Sequence, residues 1–131
     1  MAKQKELWTI FFIGAAGYPL LEILWRGYTH WSMALTGGVC FLFLYLFSLW
    51  KPQLPLWKKS LAGALIITGI EFVSGLVFNI LFRMNVWDYS AYPLNLFGQV
   101  CLLYSVLWFF LCFFLFSLCS YLQKRLNVVQ E

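Results

Sequence analysis

The chain has 131 residues, of which 63% are hydrophobic, 21% aromatic and only 11% charged. A soluble domain carries about a quarter charged residues, so this composition excludes a surface solvated by water. The formal net charge of +4 reads as a topology signal plus contact with anionic lipid, and nucleic acid is not an expected partner.

Four apolar runs, about residues 7–27, 31–50, 60–82 and 95–122, each reach the roughly 20 residues that cross a hydrocarbon core. They predict one membrane domain over residues 1–131, an all-α integral membrane four-helix bundle. No small-residue cleavage site follows the first run, whereas Glu22, Arg26 and His30 do, so it reads as a span and not as a leader. With four spans, both termini and the central loop share one side. That side holds Lys3, Lys5, Lys51, Lys58, Lys59, Lys124 and Arg125, seven of the nine cations. The positive-inside bias therefore predicts an N-in/C-in arrangement, with both termini cytoplasmic.

In the first span, Pro19 removes a backbone donor and predicts a kink near residues 15–19. Gly14, Ala15, Ala16 and Gly17 are small enough for another helix to approach closely. Tyr18, Glu22, Arg26 and His30 recur every four residues, which stacks them on one face. A carboxylate at the depth of Glu22 is costly against lipid, so that face is expected to look inward.

The second span is expected to begin near Ser32 or Met33. Its remainder from Cys40 is apolar on all sides and is expected to touch lipid. Residues 51–60 form a short basic loop with two prolines, flanked by Trp50 and Trp57 at the level of an interfacial aromatic belt. This loop reads as an anchor.

The third span places Thr68, Glu71, Gly75 and Asn79 on one stripe. Glu71 sits roughly 15 Å along the span from Leu61, close to the midplane. It needs a cation, a hydrogen-bonding neighbour, a proton or a ligand. The outer segment that follows is rich in turn formers. Asp88 and Ser90 suit a side-chain-to-backbone turn, and Asn95 is placed to cap the fourth helix. Gly98, Cys101, Ser105, Trp108 and Cys112 then share a face of the fourth span. None of the four cysteines, Cys40, Cys101, Cys112 and Cys119, has the spacing of a zinc or redox pair, so they read as small apolar packers.

Residues 1–50 and 60–122 read as weak copies of each other. Each leads from an acid-bearing helix to a Gly-x-x-Cys frame, Gly37 to Cys40 and Gly98 to Cys101, at an offset of 61 residues. Such halves would form a parallel repeat of two helical hairpins about an axis along the membrane normal. Chance similarity among apolar residues is the other explanation.

Residues 69–108 carry a pattern of their own. Glu71, Phe72, Ser74 and Gly75 are followed by Trp87-Asp88-Tyr89-Ser90, then Pro93, Asn95, Gly98-Gln99, Cys101-Leu102 and Trp108. This combination resembles the putative ABC-transporter type IV (CmpB-like) small multi-pass membrane proteins. The first half departs from that pattern, having only Arg26-Gly27 and Gly37-Gly38 where many members carry an Asn-Arg-Gly stretch that runs on to Gly-Pro. Asn79 stands where members carry a second acid. The resemblance implies a permease-like protein of the bacterial cytoplasmic membrane.

Three functional accounts follow. The first is a small transporter or transporter subunit with an outward-facing polar and aromatic pocket for a cationic or amphipathic solute. Glu22, Arg26, His30, Trp31, Glu71, Gly75, Asn79, Trp87, Asp88, Tyr89, Asn95 and Gln99 are its candidate binding residues, with Tyr18 and Trp25 as further walls. The second is a structural or accessory membrane protein whose buried charges form a polar network. The third is an intramembrane enzyme using His30 with Asp88, or a metal held by His30, Glu22 and Glu71. No catalytic set, metal site or cofactor is expected from the sequence. No nucleotide-binding loop is present, so ATP use would need a separate ATPase. Four helices make a thin wall, so the expected partners are the lipid bilayer and a second copy or another membrane subunit.

Overall fold

A computed structural model describes residues 4–27 and 29–130; the side chains of Arg26 and of residues 126–130 lie outside that description. The chain forms α1 (Gln4–Arg26), α2 (Trp31–Trp50), α3 (Leu56–Gly75) and α4 (Leu102–Gln130). A π-helical turn, Leu76–Leu81, extends α3. Two short antiparallel strands, β1 (Asn95–Leu96) and β2 (Val100–Cys101), lead into α4. Four helices are long and apolar enough to cross a membrane, and the all-α expectation holds. Many of their large apolar side chains are exposed, Leu24, Leu65, Phe110 and Phe114 among them, as suits a surface solvated by acyl chains.

α1 packs along α2 and α3 along α4, while α2 also touches both α3 and α4. The first pairing is set by glycine. A Cβ on Gly14 would lie 2.5 Å from the Gly37 carbonyl oxygen, and one on Gly37 would lie 2.3 Å from the Tyr18 Cβ. Only hydrogen fits between these backbones. At the far end of the pair, the buried Glu6 carboxylate accepts a hydrogen bond from the Tyr45 hydroxyl. Gly37→Leu is expected to cost about 1–3 kcal/mol through overpacking. The check is a melting curve in detergent, where Gly17→Ala, with nothing within 4 Å of its Cβ, should stay at the wild-type temperature.

Four expectations need correction. α2 is not the lipid-facing helix: 56% of its spanning window is buried, against 11% for α1. Its uniformly apolar sequence marks the helix enclosed on most sides, with Cys40, Phe41, Leu44 and Tyr45 in the core beside Ile10, Ile67, Cys112 and Phe116. An all-round apolar helix suits protein and lipid equally, so periodicity could not decide between them. His30 does not continue the Glu22 face, because α1 ends at Arg26 and His30 caps α2 by accepting from the Ser32 amide. Asn95 does not cap α4, which starts at Leu102; it lies in β1 and its Oδ1 accepts from the Gly98 amide. The Gly-x-x-Cys frames adopt different backbones. Gly37 and Cys40 lie inside α2, whereas Gly98 has φ 73° and Cys101 belongs to β2. The frame is a likeness of letters and not of conformation.

Candidate functional site: a carboxylate-bearing aromatic cavity

The polar stripe of α3 faces α4 and the outer segment. Thr68 shares a hydrogen bond of 2.8 Å with Ser105. One turn on, Glu71 is 2% exposed. Its Oε1 accepts from Trp108 Nε1 at 2.7 Å and its Oε2 from the Tyr18 hydroxyl at 2.6 Å. An acid at this depth needs donors, and three helices supply the acid and its two neutral partners.

Tyr18 and Trp108 also form part of a cavity of about 300 Å³ between α1 and α4. Leu21, Glu22, Trp25, Tyr89, Tyr104, Leu107 and Leu111 complete its lining. Tyr89 reaches in from the outer segment and stacks on Tyr104 with centroids 4.7 Å apart. Trp25 meets the same ring edge-on, and its Nε1 donates to the Tyr104 hydroxyl at 3.4 Å. Glu71 lies behind this wall, shielded by the two side chains that bind it. Glu22, partly buried, is in the wall itself and within electrostatic range of Glu71. Burial first, then Glu71 and Glu22, push the Tyr89 phenol well above its ordinary pKa, so it faces the cavity as a neutral hydroxyl.

The remaining candidates build a clamp beside the cavity. Asn79, on the π turn, accepts from the Val86 amide at 2.7 Å and donates to Gln99 Oε1 at 2.8 Å. Gln99 Nε2 donates to the Phe97 carbonyl, and the Gln99 carbonyl accepts from Trp87 Nε1 at 2.8 Å. Gly75 leaves room for this arrangement, since a Cβ there would lie 2.4 Å from Gln99 Oε1. A π turn widens the helix by one residue per turn and aims Asn79 at the segment it holds. Arg83, Asn85, Leu94 and Phe97 all have positive φ, a costly backbone that persists because side chains over-determine it. The Asn95 amide donates to the Tyr92 carbonyl at 2.8 Å.

Asp88 is exposed and closes the predicted turn, accepting from the Ser90 hydroxyl and, at 2.9 Å, from the Ser90 amide. These bonds hold its carboxyl below the ordinary range. A depressed folded pKa means that the turn gains from Asp88 above the ordinary carboxylate value. That gain disappears as pH falls through the folded pKa. The Ser90 amide is thus expected to become faster to exchange hydrogen on acidification beyond the intrinsic pH trend. Asp88→Asn should remove that dependence.

The candidates therefore separate. Glu22 and Tyr89 line the cavity, and Glu71 supports it from behind. Gly75, Asn79, Trp87, Asp88, Asn95 and Gln99 shape the outer segment. Trp31 is exposed and packs edge-on to Phe78, outside the cavity lining. His30 bonds to Ser32, so among the described hydrogen bonds it does not meet Asp88. The Arg26 side chain lies outside the described residues. No group of three metal-ligating side chains occurs among the described residues. Tyr104 and Trp108 were not among the candidates. Their spacing of four on the fourth span, matching Tyr18 and Glu22 on the first, was the available signal.

Residues 36–130 match the model of a family described as "Putative ABC-transporter type IV". The match covers the clamp, Glu71 and the α4 wall; Tyr18, Glu22 and Trp25 precede it. No curated protein and no solved structure matches the chain.

Proposed function

We propose that this chain, which belongs to the putative ABC-transporter type IV family, is a small membrane transporter or transporter subunit whose α1–α4 cavity binds an organic cation. The observation that carries this reading is the cavity of about 300 Å³ walled by Tyr18, Trp25, Tyr89, Tyr104 and Trp108, with the Glu22 carboxylate among them. Ring faces attract a cation by about 0.5–2 kcal/mol each when desolvated. The carboxylate adds charge selectivity that an uncharged solute of the same shape cannot exploit.

Both termini and the central loop lie in the cytoplasm on this reading, in the cell membrane, so the outer segment and the cavity mouth face the outside. A four-helix wall is too thin to enclose a pathway. Translocation is accordingly assigned to a homo-oligomer or to a complex with another membrane subunit, and ATP use to a separate ATPase. A structural or accessory role is the second reading. It is favoured by the full engagement of Glu71 and Gln99 inside the protein.

Calorimetric titration in nanodiscs separates the two. Tetramethylammonium is expected to bind the wild type, and 3,3-dimethylbutanol, an uncharged analogue of choline shape, at least about tenfold more weakly, a difference of roughly 1.4 kcal/mol. Glu22→Gln should remove most of that discrimination without moving the melting temperature. Equal binding of both compounds, or of neither, would leave the accessory role standing.

A further inference from the structure

The cavity does not end at the aromatic box. It shares Tyr18, Leu21, Trp108 and Leu111 with a second space of about 230 Å³ that continues toward the N-terminal end of α1. This lower space is lined almost wholly by hydrocarbon, including Ile13 and Gly17 from α1 and Phe114 and Leu118 from α4. α1 and α4 are not among the closely packed helix pairs, and the exposed Leu20 and Phe114 stand at the rim. The crevice is therefore open along the bilayer. It is polar and aromatic at one end and apolar at the other.

We infer that the α1–α4 crevice takes a single-chain cationic amphiphile, with its charged head in the aromatic box and its alkyl chain along the apolar groove. This inference rests on the cation reading of the box and names the class of solute. Any lateral groove in a bilayer fills with hydrocarbon. What distinguishes this one is a head-recognition site at its end, where Glu22 and the ring faces complement a positive charge. The groove from Leu21 to Ile13 runs roughly 12 Å along the helix axis, the reach of a medium alkyl chain. Gly17 keeps it open. A Cβ there meets nothing within 4 Å, whereas Gly14 and Gly37 are closed by the α1–α2 contact. The chemistry also suits entry from the leaflet, because the tail never has to leave hydrocarbon.

The test uses Gly17→Leu, which places four carbons in the groove, clashes with nothing and raises helix propensity. Tetramethylammonium and decyltrimethylammonium are titrated into wild type and variant in the same nanodiscs. Partition into the bilayer cancels in the variant-to-wild-type ratio for each ligand. Decyltrimethylammonium is expected to weaken by about tenfold, the displacement of roughly two methylenes. Tetramethylammonium should stay within about twofold, since Gly17 does not line the aromatic box. Leu118→Trp, which fills the groove from α4, should reproduce the pattern. Loss of both ligands or of neither overturns the two-compartment assignment while leaving the cation site intact in the wild type. A changed oligomeric state with both affinities unaltered gives the groove to a second copy and equally overturns it. Failure of tetramethylammonium to bind wild type is a separate outcome and removes the cation site first.

Discussion

Glu71→Leu is expected to destabilise the bundle by about 2–4 kcal/mol, while Glu71→Gln should stay within about 1 kcal/mol of wild type. Leucine removes the one group that accepts from both Tyr18 and Trp108. Two donors are then left in an apolar interior, at about 1–3 kcal/mol each, partly offset because no acid has to be desolvated. Ordinary interhelical hydrogen bonds in membranes average only about 0.6 kcal/mol, since the unfolded chain finds partners too. The larger figure here reflects two orphaned donors. Glutamine keeps a carbonyl oxygen for Trp108 and presents its amide to the tyrosine oxygen. Denaturation in mixed micelles reads the difference. A double-mutant cycle with Tyr18→Phe should give a coupling energy well above zero. Equal stability of the Leu and Gln variants would show that these bonds do not hold the three helices together.

Trp87→Ala is expected to cost about 3–5 kcal/mol and to release the outer segment before the helices separate. The ring is buried in the smaller core with Tyr18, Met33, Phe78 and Val86, and its Nε1 donates to the Gln99 carbonyl. Truncation removes the core contact and uncouples the clamp from the strand it holds. The segment also carries positive-φ residues, so little else would keep it in place. Hydrogen exchange should therefore speed up over residues 83–101 while the centre of α2 stays protected. Trp87→Phe, which keeps most of the ring, should show about a third of the loss. Uniform acceleration across all four helices would mean that the segment is not a separate clamp.

Much of this molecule was legible from its letters, for identifiable reasons. Length and hydropathy alone give the four spans. The cost of burying Glu71 marks it as a residue that must be answered, and the spacing Thr68, Glu71, Gly75, Asn79 predicts the face that meets α4. The Asp88–Ser90 turn is local chemistry and forms as read. What failed depended on tertiary packing. Whether an apolar helix such as α2 faces protein or lipid leaves no trace in periodicity, and Asn95 bonds within its own turn before any helix begins. The π turn needs Gln99 to draw Asn79 outward, a contact 20 residues distant in sequence. The walls of the cavity were half visible: Tyr18, Trp25 and Tyr89 stand out as aromatics near a carboxylate, whereas Tyr104 and Trp108 pass as ordinary members of an aromatic-rich span.

The central claim is an outward-facing, cation-selective cavity between α1 and α4, with Glu22 in its wall. Leu107→Cys places a thiol on that wall, and the four native cysteines are buried. Intact cells are treated with a membrane-impermeant trimethylammonium thiosulfonate or with its sulfonate counterpart. The account predicts labelling from outside, with the cationic reagent faster by at least about tenfold beyond the intrinsic ratio of the reagents, a preference of roughly 1.4 kcal/mol that Glu22→Gln should erase. Absence of external labelling, or equal corrected rates for the two reagents, would contradict it.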